Sequence, residues 1–174
     1  MKPFLPEDPQ LQAVVEKVLA GRRLDREDGL ALYRTHDLLS LGRLADYVRE
    51  QRHGKRAYCR AHFDTAPPTP APPDAETGVQ ALLELRARQD QSPELSVYEA
   101  PAAEEHTGFT HLKNIAVARL LLDNVPHICV RLTPAAANVS QVALRFGADT
   151  ITGPDPREQE RLVRAAGREP VFEL

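Results

Sequence analysis

The sequence predicts an α/β protein, with an N-terminal helical unit followed by a partial (β/α) barrel or a small open parallel sheet. Three observations predict it. Apolar residues recur at the helical repeat through residues 1–54. A proline-rich break, Ala66–Pro73 (APPTPAPP), then interrupts the chain. Beyond it, short β-type runs alternate with helical stretches of ~10–15 residues, the pattern of parallel β/α units. At most five strands are expected, and a closed eight-stranded barrel usually needs ~200 residues or more, so closure is not expected. The expected divisions are 1–54 (helical unit), 55–73 (short strand and linker) and 74–174 (β/α part).

Leu11, Val14, Val15, Val18 and Leu19 fall on one helical face, and Gly21 is a natural stop. Asp25 is placed to cap a second helix, to about Thr35, whose first turn carries Glu27 and Asp28. A third helix is expected from about Leu38 to Arg52, closed by Gly54. Arg56–Phe63 reads as a short strand. Five prolines in Ala66–Pro73 rule out helix or central strand and leave an extended linker. No basic residue flanks those prolines, which argues against a peptide-ligand role for them.

Asp74 is expected to cap a helix running to about Gln89, with Val79, Leu82 and Leu83 as its buried face. Leu95–Glu99 reads as a strand. Leu112–Asn124 is helical and apolar nearly all round, which implies contact on more than one side. His127–Leu132 reads as a strand. Asn138 and Gln141 are spaced as a capping pair for a helix turning Val139, Val142, Ala143 and Phe146 inward and ending at Gly147. Thr150–Thr152 is a strand, and Asp155, Pro156 and Glu158 spell a further helix start. Val171 and Phe172 supply a last strand.

Hydrophobic residues make up 42 % of the chain and charged residues 27 %, ordinary values for a globular protein. A net charge of −3 argues against general nucleic-acid binding. No run reaches the ~18–20 apolar residues of a membrane span. Met1–Gln10 has three prolines, two acids and no apolar core, so it does not read as a signal peptide. Cys59 and Cys129 read as reduced, semi-buried thiols of a cytoplasmic protein.

Three segments resemble a known family: VVEKVLAGRRLDREDGLALYRTHDLLSLGRLADYVREQRHG (Val14–Gly54), TGFTHLKNIAVARLLLDNVPHI (Thr107–Ile128) and SQVALRFGAD (Ser140–Asp149). Together they resemble the radical-SAM enzymes of the futalosine route to menaquinone, the aminodeoxyfutalosine synthase branch more closely than the cyclic dehypoxanthinyl futalosine synthase branch. The resemblance implies a (β/α) barrel with an N-terminal helical segment, a 4Fe–4S cluster and S-adenosylmethionine. It also implies a 5′-deoxyadenosyl radical adding to an enol-ether carbon with loss of CO2. The family's CxxxCxxC loop should follow the first strand. Here that stretch reads KRAYCRAHFDTAPPTPAPPDAETG, and neither Cys59 nor Cys129 matches a cluster cysteine. Three thiolates must hold three irons while the fourth iron takes S-adenosylmethionine. The expectation is therefore a truncated homologue with no cofactor, no metal ligands and no catalytic residues of that chemistry.

A surviving pocket should be lined from strand C-terminal ends and the loops after them: Tyr98, Glu99, Arg131, Thr133, Thr152 and Gly153. The resemblance places Arg131, Leu132 and Thr133 where the family has apolar or aromatic residues. His106 and His111 lack the spacing of a helical zinc pair and read as surface residues. His127 opens a strand and reads as a hydrogen-bonded structural histidine. Arg86 and Arg88 read as a solvated face. Expected partners are a second copy or a full-length paralogue, with neither nucleic acid nor membrane.

Overall fold

Aspartates set the starts of most helices, and glycines set several of their ends. In the computed structural model, which describes residues 6, 8–61, 70–102 and 107–173, Asp8 caps α1 (Pro9–Leu19) and Asp25 caps α2 (Arg26–Arg34). The α2 start is a reciprocal box. Asp25 accepts from the Asp28 N–H at 3.0 Å and Asp28 accepts from the Asp25 N–H at 2.9 Å. Lys17 Nζ reaches Asp28 at 2.7 Å and ties α1 to this turn. Asp37 caps α3 (Leu38–His53), and Gly54 ends it at φ +60°. Strand β1 (Arg56–Arg60) follows; the expected continuation to Phe63 and the linker residues 66–69 lie outside the described residues.

Asp74 caps α4 (Ala75–Gln91), and β2 (Val97–Glu99) follows. Helix α5 (Gly108–Leu121) starts earlier than the apolar pattern suggests, because Thr107 caps it by accepting from the Thr110 N–H. Its residues Ile115–Leu121 are all buried, as an apolar helix touched on several sides requires. It packs on α2, α3, α4, α6 and the sheet. Then come β3 (His127–Arg131), α6 (Ala137–Ala143), β4 (Thr150–Thr152), α7 (Pro156–Ala165, capped by Asp155) and β5 (Glu169–Glu173).

Four expectations are corrected. Helix α6 begins after Ala136 with no side-chain cap, so Asn138 lies inside it rather than at its start. Val142 is exposed, since a seven-residue helix has only a narrow inner face. His111 is buried in α5 rather than on a surface loop. Arg86 is no solvated residue either, because its guanidinium donates to the carbonyls of Leu24 and Leu121 at 2.9 and 3.2 Å and joins α4 to α2 and α5.

The five strands form one parallel sheet in the order β2-β3-β4-β1-β5. It is the open sheet of the sequence-based alternatives, not a closed barrel. Register divides its side chains into two faces. Ala57, Cys59, Ile128, Val130 and Ile151 alternate onto the face that joins the hydrophobic core with α5 and α7. Tyr58, Arg60, Glu99, His127, Cys129, Arg131, Thr150 and Thr152 alternate onto the other. Among the described residues no helix is long and apolar enough to cross a membrane.

Gly147 joins α6 to β4 at φ +104°, a backbone conformation open chiefly to glycine. A Cβ there would sit 2.8 Å from Cβ of Arg119. Gly147→Ala is expected to lower unfolding free energy by about 2 kcal/mol or more, from strain plus overpacking. A shifted denaturant midpoint with unchanged m-value checks this.

Candidate functional site

The two ends of the parallel sheet differ chemically. At the N-terminal ends of the strands lies a buried polar knot. Asp149, directly before β4, is fully buried. Its Oδ1 accepts from His127 Nδ1 at 2.7 Å and from the Thr150 hydroxyl at 2.7 Å. Its Oδ2 accepts from the Ile128 N–H at 2.9 Å and from the Arg119 guanidinium. Arg119, also fully buried, donates further to the carbonyls of Gly147 at 2.8 Å and Pro126 at 3.2 Å. His53, from the end of α3, bonds the Pro126 carbonyl through Nε2 at 3.1 Å. Its ring stacks on His127 at 5.1 Å, and Tyr58 sets its edge against both.

His53, His127 and Asp149 bring three ligand-type atoms within 4.8 Å of one another, a geometry that resembles a metal site. The donor chemistry points elsewhere. Each Asp149 oxygen already accepts two hydrogen bonds, and a guanidinium balances its charge. A dication there would face that guanidinium at contact distance. The knot is a fastening of α3, α5, β3 and β4, and it agrees with the structural role expected for His127. Burial opposes the charge of Asp149, but the bond from His127 and the nearby Arg119 and His53 outweigh it and hold the carboxyl below its ordinary value. Burial pulls Arg119 down to about 10, still charged at neutral pH.

The thiols lie apart. Cys59 pairs in register with Ile151 and Cys129 with Thr150, so successive rows point them to opposite faces of the sheet. Both are buried and free. Burial pushes Cys59 up to about 11 and Cys129 up to about 12, so both are protonated thiols at neutral pH. They do not fit a 4Fe–4S cluster, which needs three thiolates converging on one site.

At the C-terminal ends of the strands, Arg131, Thr152 and Arg60 share one row across β3, β4 and β1. Arg131 grips Glu99 of β2 through Nε at 2.8 Å and Nη2 at 2.7 Å. Thr133 and Gly153 follow β3 and β4 directly, and a Cβ at Gly153 would meet Leu132 at 3.1 Å. Of the six residues expected to line a pocket, Tyr98 and Glu99 do line a cleft of about 550 Å³. It lies between α4 and β2, walled by Leu82, Leu85, Leu95 and Val97, and Tyr33 and Arg60 also line it. Arg131, Thr133, Thr152 and Gly153 are not among its lining residues. Sequence reading missed Arg60 because the strand was expected to run on to Phe63. It missed Tyr33 because α2 belongs to the N-terminal helical unit; no local signal marks it.

Acid should loosen the knot. Burial, the leading cause, lowers the pKa of His53 below its ordinary 6.5, so the fold holds it neutral while the unfolded chain protonates it. Stability is full above about pH 6.5 and falls as pH drops toward the folded value. Asp149, also lowered from 3.8, adds a second loss as pH falls from there through its own folded value. Denaturant titrations from pH 7.5 to 5 should show the first decline, and His53→Gln should flatten it. At pH 7.5, Asp149→Asn should cost about 3–5 kcal/mol by stranding the buried Arg119.

No protein-family model matches the chain. Two curated proteins do. The chain is 55 % identical over 51 residues to an aminodeoxyfutalosine synthase of Thermus thermophilus, covering 29 % of this chain and 14 % of that protein. It is 54 % identical over 47 residues to an aminodeoxyfutalosine synthase of Streptomyces coelicolor, covering 27 % and 12 %. Identity of this order over about 50 residues makes the chain a partial relative of aminodeoxyfutalosine synthase.

Proposed function

We propose that this chain is a shortened homologue of aminodeoxyfutalosine synthase, of the futalosine route to menaquinone, without radical-SAM activity of its own, and that it acts in the cytoplasm as a binding protein. The observation that carries the reading is the placement of the thiols. Cys59 and Cys129 are the only cysteines in the chain, they are buried, and they face opposite sides of the sheet. Reductive cleavage of S-adenosylmethionine needs an electron delivered through a cluster that also holds its amino and carboxylate groups. Two inward-packed, protonated thiols offer no such seat. No cofactor is assigned.

The proposed ligand site is the C-terminal edge of the sheet: Tyr98, Glu99, Arg131, Thr133, Thr152 and Gly153, joined by Arg60 and Tyr33. What supports the reading is that Tyr98, Glu99, Arg60 and Tyr33 line a largely apolar cleft, and that Glu99 also accepts from Arg131. The proposed partner is a second copy or a full-length paralogue. Among the described residues, β2 and β5 each pair with one strand only, and such edges favour association.

Anaerobic reconstitution with iron and sulfide tests the catalytic half. Iron should remain at background, and no 5′-deoxyadenosine should form from S-adenosylmethionine and a strong reductant. A 4Fe–4S spectrum accompanied by that product overturns the reading.

A further inference from the structure

The two edges of the sheet are not alike. In β5 the Glu169 N–H donates to the Lys55 carbonyl at 2.8 Å, so residues 169, 171 and 173 turn their peptide groups to β1. Pro170 and Phe172 face outward, and Pro170 has no N–H to offer. A proline in that place closes an edge to further pairing. In β2 two bonds set the phase. The His127 N–H donates to the Ser96 carbonyl at 3.1 Å, and the Ala100 N–H to the Cys129 carbonyl at 2.9 Å. Residues 96, 98 and 100 therefore face β3, and the N–H and C=O of Val97 and Glu99 face away from it. Among the described residues these four backbone groups have no partner.

The opening is bounded on both sides. Leu95 gives its N–H to Gln89 Oε1 at 2.9 Å and accepts Gln89 Nε2 on its carbonyl at 2.7 Å. A buried side-chain amide from α4 thus stands where a neighbouring strand's peptide group would. At the other end Pro101, in the same phase, has no N–H. Two rungs remain open, ~7 Å of strand. Val97 and Glu99 line the cleft of about 550 Å³, whose opposite wall is α4. Tyr98 pairs in register with Ile128 and so faces the helix layer. In an added strand the residue opposite Tyr98 would point the same way, toward Leu82 and Leu85. Next to Gln89, the exposed Arg88 also lines the cleft and has neither hydrogen bond nor ion pair among the described residues. Its neighbour there, Glu94, accepts from the Ser92 hydroxyl. An antiparallel segment would run toward Arg88 at its C-terminal end, where an acidic residue complements that charge. A second copy fits this edge poorly. Two-fold pairing of β2 with β2 would bring a second α4 to the line that α4 already walls.

We propose that the open edge of β2 takes an extended segment of a partner protein as an added antiparallel strand. Its peptide groups bond those of Val97 and Glu99, an apolar residue packs on Leu82 and Leu85, and an acidic residue lies beside Arg88. The backbone bonds supply the pairing, and the alternating side chains supply the selection. The inference rests on the reading that a sheet edge holds the partner, and it names the edge and the occupant; it does not depend on the loss of the cluster.

The heptapeptide acetyl-KTVLVTE-amide is the probe, titrated calorimetrically into the full chain and followed by amide hydrogen exchange. It should bind saturably, one to one. The Val97 and Glu99 amides should exchange fast in the free chain and at least about tenfold slower with peptide. N-methylation of the two valines, whose N–H groups would face β2, should weaken binding at least about tenfold. N-methylation of the leucine, whose N–H would face away, should change it little. Lysine in place of the peptide's glutamate should weaken it severalfold. Val97 gives β3 no bond, so Val97→Pro should fold with β2 in place and lose about tenfold in peptide affinity. Equal binding of the valine-methylated peptide, or bound peptide without slowed exchange at Val97 and Glu99, overturns the proposal. Slow exchange at these amides that grows with chain concentration in the absence of peptide also overturns it, in favour of a second copy, and leaves association through the edge standing. No peptide binding, with both amides open at every concentration, removes both. Cluster formation is read independently by the iron reconstitution.

Discussion

The pairing of Arg119 with Asp149 is the interaction on which the lower end of this protein depends. Both charges are fully buried, and burying either alone would cost several kcal/mol. Their attraction alone does not offset that. The offset comes from the remaining bonds: Arg119 also serves the Gly147 and Pro126 carbonyls, and Asp149 also takes His127, Thr150 and the Ile128 N–H. Each of these ties a different part of the chain to one point. The turn before β4, the start of β3 and the side of α5 are thereby placed with respect to one another. Arg52 and Arg49 extend the same device. Arg52 donates to the Asp123 and Val125 carbonyls, and Arg49 to those of Gly54 and Arg56, so loops at this end are held by guanidinium groups from α3.

Such a knot leaves little for chemistry. The atoms that look most like metal ligands are occupied in holding the fold, and the two histidines stack on each other rather than opening to solvent. The opposite end is built differently. There the ion pair of Arg131 and Glu99 is partly exposed, Arg60 stands in the same row, and a cleft opens beside the edge strand. A parallel sheet separates these roles naturally, because its strands all end on one side and the loops that follow can vary without disturbing the packed side.

Much of the scaffold was legible in the sequence for local reasons. Asp25, Asp74 and Asp155 cap helices because a short carboxylate before an apolar repeat has few better partners than free helix N–H groups. The same reasoning failed at Asn138, where the helix begins two residues earlier, after Ala136, and starts uncapped. His111 and Arg86 misled because polarity suggests exposure, whereas tertiary packing decides it: His111 falls on the inner face of α5, and the carbonyls that receive Arg86 come from 62 and 35 residues away. The candidate site was half legible for a related reason. Tyr98 and Glu99 could be placed at a strand end, but Tyr33 reaches the cleft from α2, through contacts that no periodicity reveals.

The fastening also bears on what the resemblance means. The three resembling segments each contribute to it: Val14–Gly54 supplies Arg49, Arg52 and His53, Thr107–Ile128 supplies Arg119 and His127, and Ser140–Asp149 supplies Gly147 and Asp149. The parts of the chain that look like the synthase are thus the parts that close the N-terminal end of the sheet. They hold helices and strands in place and carry none of the thiolates that reductive cleavage requires. A knot of charges with every oxygen of its carboxylate bonded tolerates few substitutions, since losing one partner strands another in the interior. These segments are therefore constrained by the knot that they build together. The demands of folding concentrate at this end of the sheet, and the opposite end, where the Arg131–Glu99 pair is partly exposed, is bound by them less.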